Sequence, residues 1–302
     1  MAASPLNPKL PYHVRSISLP SRSHPLTLRL EEQLYRVRAS EATISSSSSS
    51  ICRNLGGLKE LYDSVDDLLQ LPLTQQALVP DRHEKLIDEV LDGSLMLLDV
   101  CGITRDVLQQ MKESVQDLQS SLRRKRCAEF GLENDVGAYM VCRRKVKKTI
   151  RKCLGNLKRT QNKRAFSSLL DKDSGLVAVI SVLREVEIIT LTRFEFLLSF
   201  VSGTMAQSKQ SGWSLVSKLM HTKRVACDKE QVDICEMEKV DVALCSLVGH
   251  KSHKGTEVFK IQNVQKRLEA LELSINGLED GIESIFRHLI KTRVSLLNIL
   301  NH

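Results

Sequence analysis

From residue 50 onward, apolar side chains recur in steps of three and four. Leu55, Leu58, Tyr62, Val65 and Leu69 form one such stripe. That spacing follows the 3.6-residue period of a helix and predicts one buried face. Pro72 ends this helix, and Pro80 closes a short connecting piece. Asp81 stands three residues before Glu84, a capping-box-like start for a helix from 82 to about 125. Within it Thr104, Leu108, Met111, Val115, Leu118 and Leu122 keep the rhythm, and Gly93 and Gly102 are candidate bends. Further helices are predicted over 135–165, 174–201 (stopped by Gly203), 213–226 and 230–248, followed by a polar loop at 249–255.

The last helix carries the longest pattern. Ile261, Val264, Leu268, Leu271, Ile275, Leu278, Ile282, Ile285, Leu289, Thr292, Leu296 and Ile299 alternate steps of three and four, and only Thr292 is not apolar. A 3.5-residue repeat held this long specifies knobs-into-holes packing against another long helix. The 82–125 helix supplies an internal antiparallel partner; another chain is the alternative.

The punctuation agrees. All seven prolines lie at or before Pro80. Proline in a helix interior costs about 3 kcal/mol, so a long proline-free remainder fits a chain that is mostly helix. Aromatic residues make up only 4%, and helix seams can be filled by aliphatic side chains alone. The expected fold class is all-α, an antiparallel bundle of long helices over 51–302. Residues 1–50 read as a disordered Ser/Pro/Arg-rich tail and linker, with a short helix over 28–42 and a boundary in the tract Ser45 to Ser50.

Charge changes the picture in one place. The net charge is +8, yet fifteen positive residues fall within 123–126 and 143–164; without them it would be −7. Arg123, Arg124, Lys125 and Arg126 form the first group. In the second, Cys142, Val146, Ile150, Cys153 and Leu157 share a narrow apolar face, with Arg143, Arg144, Lys147, Lys148, Arg151 and Lys152 over the opposite arc. Such a face can meet an anionic membrane surface, each cation contributing about 1 kcal/mol. Its apolar side lacks the bulky residues that insert well into lipid. Nucleic acid fits less well, since no stacking aromatic interrupts the cations. The plain alternative is a solvated bundle face paired with acidic segments such as 60–67 or 228–241.

No catalytic signature is present: there is no Gly-rich phosphate loop, no G-x-S-x-G and no H-E-x-x-H. Non-enzymatic work without a cofactor is the expectation. Glu187, in an apolar helix, is expected to snorkel outward or pair with a base. Gly277 and Gly281 make a weak G-x-x-x-G packing motif. The eight cysteines are scattered without a C-x-x-C, which fits free thiols in a reducing, cytoplasmic setting. Cys245, His250 and His253 fall one ligand short of a structural zinc site, so no metal is expected. The most apolar stretch, 176–201, is broken by Arg184, Glu185, Glu187, Arg193 and Glu195 and cannot span a bilayer.

The tail holds the sharpest local motif, Arg15-Ser16-Ile17-Ser18-Leu19-Pro20. Phosphorylation of Ser18 would place about two negative charges before Pro20, the form that 14-3-3 proteins read through an arginine cluster. Arg15, Ser16, Ser18 and Pro20 occupy every fixed position of that consensus. Ser- and Arg-rich tails also produce such matches by chance.

Four segments together carry a resemblance: His13 to Pro25, Asp92 to Gly102, Arg184-Glu185-Val186-Glu187, and Ser295 to His302. They resemble a plant-specific family of unknown biochemical function that includes the BYPASS proteins. The resemblance implies a link to root and shoot development, as for some members, and no catalytic residues. The acid-free, Ser- and Arg-containing start also fits an organelle transit peptide, and the resemblance weighs against that alternative because the tail segment fits the family pattern. The expected function is a regulatory or adaptor protein acting through protein contacts, with peripheral binding to anionic lipid as the alternative.

Overall fold

The computed structural model describes residues 25–40, 47–78, 84–124, 132–164, 175–204, 235–248 and 254–301. All regular structure among them is helical: α1 (Pro25–Ala39), α2 (Ser48–Leu69), α3 (Pro72–Leu78), α4 (Glu84–Arg124), α5 (Leu132–Arg164), α6 (Gly175–Ser202), α7 (Glu236–Val248) and α8 (Lys254–Leu300). The expected all-α bundle is what the chain forms. The predicted helix over 213–226 and the motif at Arg15, Ser16, Ser18 and Pro20 lie outside the described residues.

The helix ends follow local chemistry. Ser47 caps α2, its hydroxyl accepting the Ser50 N–H at 3.3 Å. Pro72 does more than end α2. It opens α3 at the first helical position, where a missing N–H costs nothing, so the expected connecting piece is itself a helix. Gly203, at φ 74°, closes α6. Its N–H reaches Phe200 O at 3.0 Å and the Thr204 N–H reaches Ser199 O at 3.1 Å, the paired bonds of a Schellman ending.

α8 is the spine. Val264, Leu268, Leu271, Ile275, Leu278, Ile282, Ile285, Leu289, Thr292 and Leu296 are all buried, so its heptad seam is filled from within the chain. α4 covers one side and runs antiparallel, marked by Lys112–Glu279 at 2.7 Å and Gln116–Glu272 at 2.7 Å. α2 covers the other side and runs parallel, marked by Ser48–Ser274 at 3.0 Å and Thr292–Asp66 at 3.1 Å. Gly277 and Gly281 face α2. A Cβ at 277 would stand 3.3 Å from Cys52 Sγ, and one at 281 would stand 3.2 Å from Leu55 Cβ. The G-x-x-x-G is therefore an intramolecular packing contact.

α6 closes the core against α2 and α4. Tyr62 Oη lies 3.0 Å from Thr190 Oγ1, and Arg184 pairs with Glu89. Glu187 is half-buried, its carboxylate against the α4 backbone at Gly93. α1 precedes the serine tract yet contributes Leu30, Leu34 and Val37 to the same core. Arg193 of α6 donates to Val37 O at its C-terminal end.

Candidate functional site

α5 packs on α4 and α6 and adds one face to this core. Val136, Tyr139, Val146, Ile150, Cys153 and Leu157 turn inward in steps of three and four. The remaining positions face out. Arg144, Lys145, Lys148, Arg151, Lys152, Lys158 and Arg159 are exposed, and none forms an ion pair with a described carboxylate. Seven cations over four turns thus stand in solvent without a described ion pair, and one of them, Lys158, lies near enough to the Glu195 carboxylate of α6 to favour its charged form.

Arg143 departs from the expected arc. Only 2% of its surface is exposed. Its guanidinium donates to Asp241 of α7, Nη2 lying 3.0 Å from Oδ2, and to Val201 O of α6 at 2.6 Å. The correction follows from helix geometry. Arg143 lies four residues after Tyr139 and three before Val146, so it falls on the buried stripe. Planar, with five donors, it satisfies a helix-end carbonyl and a carboxylate together. Lys147 is half-drawn into the same site, 3.4 Å from Asp241 Oδ2. Tyr139 adds its hydroxyl to Asp241 at 3.3 Å. Burial, reinforced by the neighbouring Asp241 carboxylate, pushes the Tyr139 hydroxyl above its ordinary range. Of the acidic stretch 228–241, Asp241 pairs with this helix, while 228–234 lie outside the described residues.

Beside α5 runs a feature that its own sequence does not announce. Asp92, Asp99, Asp106 and Glu113 of α4 are spaced by seven and all exposed, with no described cation in an ion pair with any of them. α4 and α5 meet antiparallel, with Cys142 Sγ 3.7 Å from Gln110 O. Toward the end of α4 the pair opens into a groove of about 410 Å³, lined among others by Glu113, Asp117 and Asp135. The heptad spacing of the acids was legible in the sequence; their place beside the cations was not, because it depends on which helices pair.

The other predicted cations divide. Arg123 and Arg124 are exposed at the end of α4, while Lys125 and Arg126 lie outside the described residues. Cys245 is exposed on α7, and His250 and His253 lie outside the described residues. A small cavity of about 30 Å³ lies between α2, α4, α6 and α8, lined by Tyr62, Ser94, Glu187 and Thr292 among others. It has room for about one water and no larger ligand. Among the described residues no helix is long and apolar enough to cross a membrane.

These features define a helical bundle whose most distinctive surface is made by the oppositely charged exposed faces of α4 and α5. The model of the family described as Protein BPS1 matches residues 54–299, and the chain belongs to this family, in keeping with its resemblance to the BYPASS proteins. The matched span holds the Asp92–Gly102 and Arg184–Glu187 segments; His13–Pro25 precedes it. No curated protein and no solved structure gives a match.

Proposed function

We propose that this chain is a non-enzymatic regulatory or adaptor protein that works by protein contact, and that the outer face of α5 is one of its contact surfaces. The plant developmental setting implied by the resemblance is supported by membership of the BPS1 family. One observation carries the contact reading: seven exposed cations of α5 lack a described ion-pair partner. Surface charge left uncompensated raises encounter rates with an acidic partner and selects against basic ones. Affinity purification from plant tissue tests it, comparing the intact chain with Lys148→Glu/Arg151→Glu. Both positions are exposed, so the fold is kept and partners should be lost; an unchanged partner set sinks the reading.

Anionic lipid is the second reading, favoured by the same cations. The acidic row of α4 beside them opposes it, since that row would lie within about one Debye length, roughly 10 Å, of the same headgroups. Equal flotation with anionic and neutral vesicles would remove lipid; anionic-selective flotation lost in the double variant would instead establish it. The Arg15–Pro20 motif adds a separate contact, docking of phosphorylated Ser18 on a 14-3-3 protein. A Ser18→Ala chain that still captured 14-3-3 would discard it.

A further inference from the structure

We infer that the paired charged faces of α4 and α5 form a self-association surface whose occupant is a second copy of this chain. The inference rests on reading the α5 face as a contact surface and names the partner its charge pattern fits. Two rows carry it. On α4, Asp92, Asp99 and Asp106 repeat every seven residues; on α5, Lys145, Lys152 and Arg159 do the same. All six are exposed. None is in an ion pair with another described residue.

Their levels match. Counted from the Cys142–Gln110 contact, Lys145, Lys152 and Arg159 stand level with positions 107, 100 and 93. Each is one residue from Asp106, Asp99 or Asp92, about 1.5 Å along the axis. The surface therefore carries an acidic row and a basic row side by side, in register.

Such a surface is complementary to itself under one symmetry operation. A two-fold axis lying in the face and parallel to the helices sets the acidic row of one copy over the basic row of the other and keeps each rung level. Lys152 then meets Asp99 of the other copy, and Asp99 meets the other Lys152. A two-fold axis across the helices would oppose acid to acid, so charge selects the first arrangement. Leu95, 47% exposed, follows Asp92 by three residues, and Val141, 42% exposed, precedes Lys145 by four. Both lie on the charged faces and give each copy an apolar contact.

The size is modest. From Asp92 to Glu113 the face runs about 30 Å, and two helix widths span about 20 Å. That gives about 600 Å² per copy, near the lower limit for a specific interface. Association governed by charge at this area must weaken steeply with salt.

Sedimentation of the full chain at about 50 mM and about 500 mM salt reads the state directly. A dimer at low salt that dissociates at high salt is expected. Asp99→Lys alone and Lys152→Glu alone should each weaken association by about tenfold or more. Mixing these two variants should restore a dimer, because each supplies the charge the other needs, and this rescue requires both variants to be folded. A wild-type chain that is monomeric at both salts overturns the inference. So does a dimer indifferent to either reversal, or one that mixing does not restore. If the wild type is monomeric while Lys148→Glu/Arg151→Glu still loses its partners, the contact function stands and only the second copy is removed.

Discussion

Thr292 donates its hydroxyl to Asp66 Oδ1 across 3.1 Å, joining the only polar position in the α8 seam to a buried carboxylate of α2. Lys291 holds the other oxygen at 3.1 Å, and the His288 ring stacks on Tyr62 beside it. The break in the heptad is thus a partner, not a packing defect. Thr292→Val, which would make the stripe wholly apolar, should lower stability by about 1–3 kcal/mol, because Asp66 loses a donor while remaining buried. Equilibrium denaturation checks this; an unchanged or raised midpoint would show that the hydroxyl contributes nothing.

Arg143 and Asp241 form a largely buried ion pair that is costly to break. Asp241→Ala leaves a guanidinium buried among α5, α6 and α7 with the Val201 carbonyl as its one remaining acceptor among the described residues. Removing one partner of a buried pair costs about 3–5 kcal/mol. α7 makes few other polar contacts to α5, so hydrogen exchange across 236–248 should accelerate before the rest of the core does. Arg143→Met combined with Asp241→Leu should cost less than the sum of the single changes, since neither buried charge is then left alone.

Two glycines should respond in opposite directions to one methyl group. At Gly281 a new Cβ would stand 2.7 Å from Leu55 Cδ1 and 3.2 Å from its Cβ, so α2 and α8 must part or Leu55 must leave its rotamer. Gly281→Ala should cost about 1–3 kcal/mol despite the better helix former. Gly155, exposed within α5, has nothing within 4 Å of a new Cβ. Gly155→Ala should stabilise by up to about 1 kcal/mol. Melting temperatures moving the same way in both variants would contradict this assignment of the α2–α8 contact.

Much of the bundle was legible because burial leaves a period in the sequence. The α8 stripe marked its inward face, the proline-free stretch marked the helices, and Gly203 marked a stop that the structure places one residue past α6. What was not legible depends on contacts distant along the chain. Arg143 looked solvated because charge outweighed its place on the stripe; its partner Asp241 lies 98 residues away. For Glu187 the pattern left open whether it snorkels outward or pairs with a base; the carboxylate is half-buried against Gly93, where the absence of a Cβ makes room. This contact joins two of the segments that carried the family resemblance, and Arg184 of the second also pairs with Glu89 of α4. α3 was missed because seven residues are too few to show a period.

Buried weak acids on several helices predict how the bundle yields to base. Cys101, between α4 and α8, has its thiol pushed up to about 12 from 9.0, chiefly by burial. Burial also raises the thiols of Cys153 and Cys235 and carries the Tyr62 and Tyr139 hydroxyls above their ordinary range. Each group keeps its proton in the folded chain at a pH where the unfolded chain has released it. Stability from these groups is therefore complete below pH 9.0, the unfolded thiol value, and declines above it. Cys101 alone accounts for a loss of up to about 4 kcal/mol by pH 12. Denaturant midpoints should hold steady from about pH 7 to 8 and fall through pH 9 to 11. Cys101→Ala should start lower, for lost packing, yet fall less steeply over that range. A wild-type midpoint unchanged at pH 11, or a slope indifferent to Cys101→Ala, would mean that this thiol is open to solvent and that α4 and α8 are not closed over it.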